Sequence, residues 1–448
     1  MAREFDALAL LILLTPPLRS LHLASARAVM PPRTRKSGAT DGVPPPVASA
    51  PACSGASPRR GRAVAVMLLA PAPLLALLFA QVAQPAVRQL LVLNVTLCVC
   101  AFALTCHLVP LVTAKTLKRG LAGFDLNKRG TPAGAQAVPE AAGLAAGAAF
   151  LATALLYQFA QHALFFAPPV VPSHAALVAV SAALFLGFVD DVLDVPWRVK
   201  LLLPTVAALP LLIAYNGHTG VVVPLPLRPL LHGAAFLELG LFYQMYMMAV
   251  AVFATNSINI LAGVNGLEAG QTLVLSIACA LHSMQQLTGR DGSPDASAKI
   301  EAHLLSLSLV APLAAVSAAL LTFNWYPSRV FVGDTFTLFA GMTLATAGIL
   351  GHYSETLLLL FTPQVFNFVY SIPQLAKIVP CPRHRLPSLD PATGLLHGSG
   401  DLNLVNLALR LGGARSEQQL CKLLLALQVA AAAATFAARW ALTGVYKG

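Results

Sequence analysis

The densest chemistry in the sequence is a run of three carboxylates, Asp190, Asp191 and Asp194, followed six residues later by Lys200. They close a strongly apolar stretch. On a helix, positions three and four apart are neighbours, so the three acids fall in one neighbourhood. Like charges beside hydrocarbon repel and lose solvation, so a cluster at this depth points to a function that supplies a compensating cation or basic group. A merely solvated helix end would need one aspartate. Magnesium suits the set, because it takes oxygen ligands, often one or two carboxylates plus substrate phosphates. Lys200 reads either as a snorkelling anchor or as the counter-charge to a transferred phosphate.

Three more polar segments carry matching chemistry. Asn256–Glu268, with Asn259, Gly263, Asn265 and Gly266, is expected to be a loop between two apolar spans. Carboxamides bind hard cations and pair with nucleobase edges. Asn and Gly also mark ordinary tight turns, and the Gly-Lys-Ser/Thr ending of a phosphate-binding P-loop is missing. Asn324–Thr335 holds Phe331, a stacking face for a base or a core plug, and Asp334, a second metal ligand or simply a helix N-cap. Pro380–Pro387 sets Arg383, His384 and Arg385 between prolines. Arginine makes bidentate phosphate contacts; a basic patch on a membrane surface is the plainer reading. Carboxylates, carboxamides, an aromatic ring and guanidinium groups together form the inventory for a metal-bound nucleotide diphosphate.

The elements that must position these groups are membrane helices. Of 448 residues, 57% are hydrophobic and 10% charged, against about 25% charged in an ordinary soluble domain. The bilayer is therefore the natural solvent. Taking about 20 apolar residues per span, ten segments qualify: 89–113, 138–160, 174–194, 201–216, 235–254, 268–287, 303–322, 335–351, 355–375 and 421–442. An eleventh candidate covers 63–83. The expected fold is an all-α integral membrane protein, a polytopic bundle of about ten transmembrane helices plus an extra N-terminal one. The loops after odd-numbered spans carry Lys115, Lys118, Arg119, Lys128, Arg129, Arg198, Lys200, Arg329, Lys377, Arg383, Arg385, Arg410 and Arg415. The other loops carry little beyond Arg228, Arg290 and Lys299. The positive-inside bias puts the first set, and nearly every motif above, in the cytoplasm. The net charge of +11 is thus a topology signal and not a nucleic-acid footprint. The seven cysteines show no metal spacing and read as small packing residues. No internal repeat supports a repeat-built transporter.

Three domains are expected. Residues 1–62 are basic and rich in Pro and Ala, with Pro44, Pro45 and Pro46 arguing against a packed core. A start codon placed too far upstream would account for them more plainly. Residues 63–88 form the extra helix and a linker, and 89–448 form the membrane domain.

From about residue 89 onward the chain resembles the eukaryotic UDP-GlcNAc–dolichyl-phosphate GlcNAc-1-phosphotransferases, of the polyprenyl-phosphate sugar-1-phosphate transferase superfamily (glycosyltransferase family 4). The resemblance rests on Asp125–Lys128, Val138–Glu140, Gly187–Leu193, Lys200–Thr205, Asn256–Gln271, Asn324–Thr335, Gly348–His352, Pro363–Phe368 and Pro380–Pro387, in that order. It implies a ten-helix bundle in the endoplasmic reticulum membrane with the active site facing the cytosol. It implies magnesium held by Asn259 and Asp334, catalytic carboxylates at Asp190 and Asp191, and a phosphate contact at Lys200. Leu126 (through its backbone), Gly263, Asn265 and Phe331 correspond to the uridine pocket, Arg383 to a diphosphate contact, and His384 with Arg385 to the loop that reads the N-acetyl sugar. Glu140 matches a polar position at the same site. UDP-GlcNAc and dolichyl phosphate are the implied substrates, and a homodimer the implied assembly. Residues 1–88 have no counterpart, the segment after Pro387 is shorter than in animal members, and Asp194 stands where some members carry Asn. The competing readings are a transferase with another polyprenyl phosphate acceptor and a nucleotide-sugar transporter.

Overall fold

The computed structural model describes residues 58–165, 171–223, 225, 228–229, 232, 234–288, 296–382 and 384–446. Most of the expected N-terminal extension, residues 1–57, lies outside them. In chain order the helices are α1 (Pro58–Leu69), α2 (Ala72–Gln81), α3 (Pro85–Lys118), α4 (Gly143–Phe165), α5 (Val171–Leu193), α6 (Trp197–Ala214), α7 (Leu241–Ile260), α8 (Leu267–Thr288), α9 (Ala296–Asn324), α10 (Gly333–Leu350), α11 (Ser354–Leu360), α12 (Thr362–Leu375), α13 (Leu404–Gly412) and α14 (Glu417–Tyr446). Three small antiparallel hairpins sit in the connections: β1 (Ala122–Phe124) with β2 (Ala137–Pro139), β3 (Gly220–Val222) with β4 (Phe236–Glu238), and β5 (Ser388–Asp390) with β6 (Leu395–His397).

Among the described residues, seven helical stretches are long and apolar enough to cross a membrane. They are Gly61–Gln81, Pro85–Lys118, Gly143–Phe165, Val171–Leu193, Leu241–Ile260, Ala296–Asn324 and Glu417–Leu442. An eighth arises if α11 and α12, bent by 70° at Phe361, count as one broken span. The remaining expected segments are helices too, but α6 has a short apolar part (Leu202–Ala214), and α8 and α10, which carry Thr, Ser, Gln and His side chains, are not among the seven. The polarity has a structural cause. Every residue from Thr335 to Leu350 is buried, as is most of α8, so their Thr, Ser, Gln and His side chains face other helices and not lipid.

Helix α10 is the hub. It packs against α4, α5, α7, α8 and α9. Its Gly, Ala and Thr residues let neighbouring backbones come close, as small residues do in membrane bundles. The segment expected as a loop at 256–268 is mostly helical: α7 runs through Ile260, and only residues 261–266 connect it to α8. Helix α5 stops at Leu193, and Asp194 is an exposed residue with φ 50°. It is therefore not a third acid on the helix face, which corrects the expected trio.

Candidate active site

The site lies where α5, α7 and the chain returning from α9 all reach the same end of the bundle. A carboxylate–helix contact sets its geometry. Asp191 Oδ1 accepts the backbone N–H of Asp334 at 2.7 Å, and Oδ2 accepts the N–H of Thr335 at 3.0 Å and its hydroxyl. The first N–H groups of a helix have no intrahelical partner and carry partial positive charge, so a carboxylate there is favourable. Asp191 thus caps α10 from a different helix. The contact needs two glycines. At Gly187 a Cβ would lie 2.6 Å from the Asp334 carbonyl oxygen, so only a bare Cα lets α5 approach this far. Gly333 has φ +76°, which favours glycine, and a Cβ there would strike Asp191.

Asp334 is therefore not the N-cap of α10. Val332 stands in that position without a side-chain bond, which leaves the Asp334 carboxylate available. Its Oδ2 lies 2.8 Å from Lys200 Nζ, and Asp190 Oδ2 lies 2.7 Å from the same ammonium. Asp190 is also fixed by the Val195 N–H at 3.0 Å. The Asn259 carboxamide, on the next-to-last residue of α7, donates to Asp334 Oδ1. Asn259 is in turn held from below, since Gln271 Nε2 donates to the carbonyls of Ile258 (3.2 Å) and Leu261 (2.8 Å) on either side of it. Gln364 bridges Gln271 and Gln428, and Gln428 takes the Leu360 carbonyl freed by the bend before α12. The structure thus joins Asp190, Lys200, Asp334 and Asn259 directly and ties Asp191 to their frame. Glu140 stands beside them. Burial first, and then Asp191 and Asp334, hold its carboxyl above the usual range. Its loop is pinned to Phe331, whose N–H donates to the Pro139 carbonyl at 2.8 Å while its own carbonyl accepts the Ala142 N–H at 3.1 Å. No group of three His, Cys, Asp or Glu side chains among the described residues is arranged to hold a metal by itself.

A second polar nest adjoins the first. Asn265 is buried; its Oδ1 accepts from Lys128 at 3.0 Å and from the Ser328 N–H at 2.7 Å, and its Nδ2 donates to Asp125 at 3.1 Å. Its backbone N–H donates to Glu417 at 2.8 Å. Lys128 pairs with Asp125 and lies 4.9 Å from the Tyr326 ring centroid. Asn127 donates to the Gly263 carbonyl at 2.6 Å and to Glu417 at 3.2 Å. Leu126, between Asp125 and Asn127, keeps its side chain exposed. Gly263, Asn265 and Leu126 therefore converge, though the Asn265 carboxamide is already occupied in shaping the nest. Sequence reasoning did not single out Glu417, Ser328 or Thr335. An acid in the first turn of an apolar last helix was the available signal for Glu417. Leu386 covers Gly263 closely enough that a Cβ there would lie 2.6 Å from its Cδ2, which brings the 384–387 segment to the nest. Arg385 is anchored through its carbonyl by Asn403 at 2.7 Å and Asn406 at 3.3 Å. His384 is exposed. Arg383 lies outside the described residues.

Residues 173–352 match the family described as glycosyl transferase family 4. The chain is 44% identical over 342 residues to the UDP-N-acetylglucosamine–dolichyl-phosphate N-acetylglucosaminephosphotransferase of Dictyostelium discoideum, covering 72% of this chain and 83% of that protein. It is 42% identical over 332 residues to the protein of the same name from Schizosaccharomyces pombe (68% and 72%), and 38% over 338 residues to that of Saccharomyces cerevisiae (67% and 71%).

Proposed function

Because the chain belongs to glycosyl transferase family 4, we propose that it transfers GlcNAc-1-phosphate from UDP-GlcNAc to dolichyl phosphate. The products are GlcNAc-diphospho-dolichol and UMP, and the reaction begins lipid-linked oligosaccharide assembly for protein N-glycosylation. The observation that carries the reading from family to reaction is the Lys200 ammonium held between Asp190 and Asp334 at the end of the bundle.

An oxygen of dolichyl phosphate attacks the β-phosphorus. The bond from that phosphorus to the α–β bridging oxygen breaks, and its electron pair leaves with UMP. A phosphate monoester has a second pKa of about 6, so the nucleophile is already ionised at neutral pH and no general base is needed. Lys200 places positive charge where two anions must meet. Asp190 orients that ammonium, and Asp191 fixes the start of α10 and with it Asp334. Asn259 and Asp334 are the residues that would hold magnesium. They fit it: each carries a hard oxygen, the Asn259 carboxamide already sits against the Asp334 carboxylate through its Nδ2, and magnesium completes its shell with substrate phosphates. When bound, the ion would offset and orient the diphosphate charge. Gly263, Asn265, the Leu126 backbone and Phe331 would form the uridine pocket. Arg383 would meet the diphosphate and His384 with Arg385 the N-acetyl sugar, while Glu140 borders the reacting groups.

The chain is a multi-pass membrane protein. We read α6, α8 and α10 as further spans, α8 and α10 buried among the other helices, which with the seven apolar helices and the bent pair gives ten plus the N-terminal Gly61–Gln81. The basic connections at the site's end favour a cytosolic face, in the endoplasmic reticulum membrane. Homodimerisation follows from the family resemblance. The test is to incubate membranes carrying this chain with UDP-[sugar-labelled]GlcNAc, magnesium and dolichyl phosphate. Labelled lipid and UMP should appear in equal amounts. Absence of both sinks the reading, and label trapped inside vesicles without labelled lipid would instead indicate transport.

A further inference from the structure

A groove lies at the same end of the bundle, behind the nest. Its volume is about 460 Å³, within the range of about 300–1,000 Å³ common to small-molecule sites. One wall is α1, which precedes the region of family resemblance; the others are α8 and α14. Two cations, Arg62 and Lys422, line it together with Gln418. Neither cation forms an ion pair among the described residues. The rest of the lining is apolar and includes Val66, Met67 and Leu425. Trp325 also lines it. This side chain is 3% exposed, and its Nε1 has no hydrogen-bond partner. Its Cε3 edge lies against Gly266, which turns the Nε1 edge on the other side of the indole away from the connection between α7 and α8. A buried N–H donor without an acceptor is unfavourable.

We propose that this groove binds an anionic phospholipid of the surrounding bilayer, with its headgroup phosphate at Arg62 and Lys422 and an acyl chain along the apolar wall. Charge complementarity selects the anion. The apolar lining selects an amphiphile over free phosphate. The level of the cations, at the end of membrane helices, matches where a headgroup sits. Trp325 gives the groove an indole wall beside the two cations. Its Cε3 edge packs on Gly266, and Gln418 follows Glu417, which holds Asn265. The bound lipid therefore backs the two elements that shape the nest.

Trp325 also provides the readout, because the chain has three tryptophans. The full chain with Trp197→Phe and Trp440→Phe retains only Trp325 and is reconstituted into phosphatidylcholine vesicles. Quenching is followed as brominated phosphatidylglycerol or brominated phosphatidylcholine is added. The anionic lipid should quench at a much lower mole fraction than the neutral one, and inorganic phosphate should not displace it. Arg62→Ala with Lys422→Ala should raise the half-quenching fraction about 30-fold, at roughly fivefold for each cation. Arg62→Lys with Lys422→Arg should restore it. Equal quenching by both lipids, or no effect of the alanine pair, overturns the proposal. So does tighter quenching by brominated dolichyl phosphate, which would give the groove to the acceptor.

Discussion

Asp191→Asn separates two roles that look alike in a sequence. In the structure the carboxylate accepts three hydrogen bonds, from the Asp334 and Thr335 N–H groups and the Thr335 hydroxyl. Asparagine keeps one acceptor oxygen and turns an NH2 toward the donors on the other side. Bonds to charged groups contribute about 1.5–3 kcal/mol each, and part of the loss is recovered by small shifts, so a destabilisation of about 2–4 kcal/mol is expected. The start of α10 then loosens from α5 and Asp334 moves relative to Lys200. Misplacement on the order of 1 Å costs about 10²-fold in rate. The variant should therefore show a lowered melting temperature and a kcat reduced about 10–100-fold. The reduction should be the same at every pH from 6 to 9, with KM for UDP-GlcNAc little changed. Thr335→Val should reproduce a fraction of the effect and be less than additive with Asp191→Asn, since the two share a bond. The assay is lipid-product formation across pH, paired with thermal unfolding in detergent. An unchanged melting temperature, together with loss of the rise in kcat with pH, would make Asp191 a general base and refute the positioning role.

Lys200→Met should lower kcat by about 10²–10³-fold, as loss of a preorganised charge does, with Lys200→Arg recovering part of it; steady-state kinetics at saturating substrate will decide. Gly187→Ala should destabilise by roughly 1–3 kcal/mol through overpacking against the Asp334 carbonyl and lower turnover in parallel, read by thermal unfolding and product formation on the same samples. Gln364→Leu leaves the buried Oε1 atoms of Gln271 and Gln428 without their donor, so the melting temperature should fall by the equivalent of about 1–3 kcal/mol. Chelation should abolish turnover and magnesium restore it, and Asn259→Ala should raise the half-maximal metal concentration by about tenfold or more.

Much of the helical framework was legible because apolar runs announce it, and Asp190, Asp334 and Asn259 of the candidate site stood out as acids and an amide in an apolar chain. What escaped depends on contacts between distant segments. The role of Asp191 follows from a crossing between residues 143 and 144 positions apart, which no local pattern encodes. The Asn256–Ile260 stretch looked like a loop because of its asparagines. On the helix, Asn256 donates back to the Val252 carbonyl at 2.8 Å, and Asn259 reaches the neighbouring Asp334, so the amides end α7 without interrupting it. The bend at Phe361 escaped because the Leu360 carbonyl it frees is taken by Gln428, 68 positions from Leu360. The polarity of α8 and α10 was visible, but its meaning, burial among other helices, was not.

The charge balance of the site gives the metal prediction its force. Asp191 is satisfied by backbone and hydroxyl donors and asks nothing of a cation. That leaves Asp190 and Asp334 sharing the single ammonium of Lys200, one negative charge in excess before Glu140 or any substrate is counted. Into this region two phosphate anions must come together. At about 4 Å, two unit charges repel by roughly 4 kcal/mol at the effective dielectric of a protein surface. Lys200 cannot offset that alone while two carboxylates already hold it. Further positive charge has to arrive, either as the divalent ion at Asn259 and Asp334 or from Arg383, His384 and Arg385. The two sources separate cleanly: if chelated enzyme keeps turning over, while Arg383→Ala with Arg385→Ala stops it, the guanidinium loop carries the charge and the assignment of Asn259 and Asp334 to a metal is wrong.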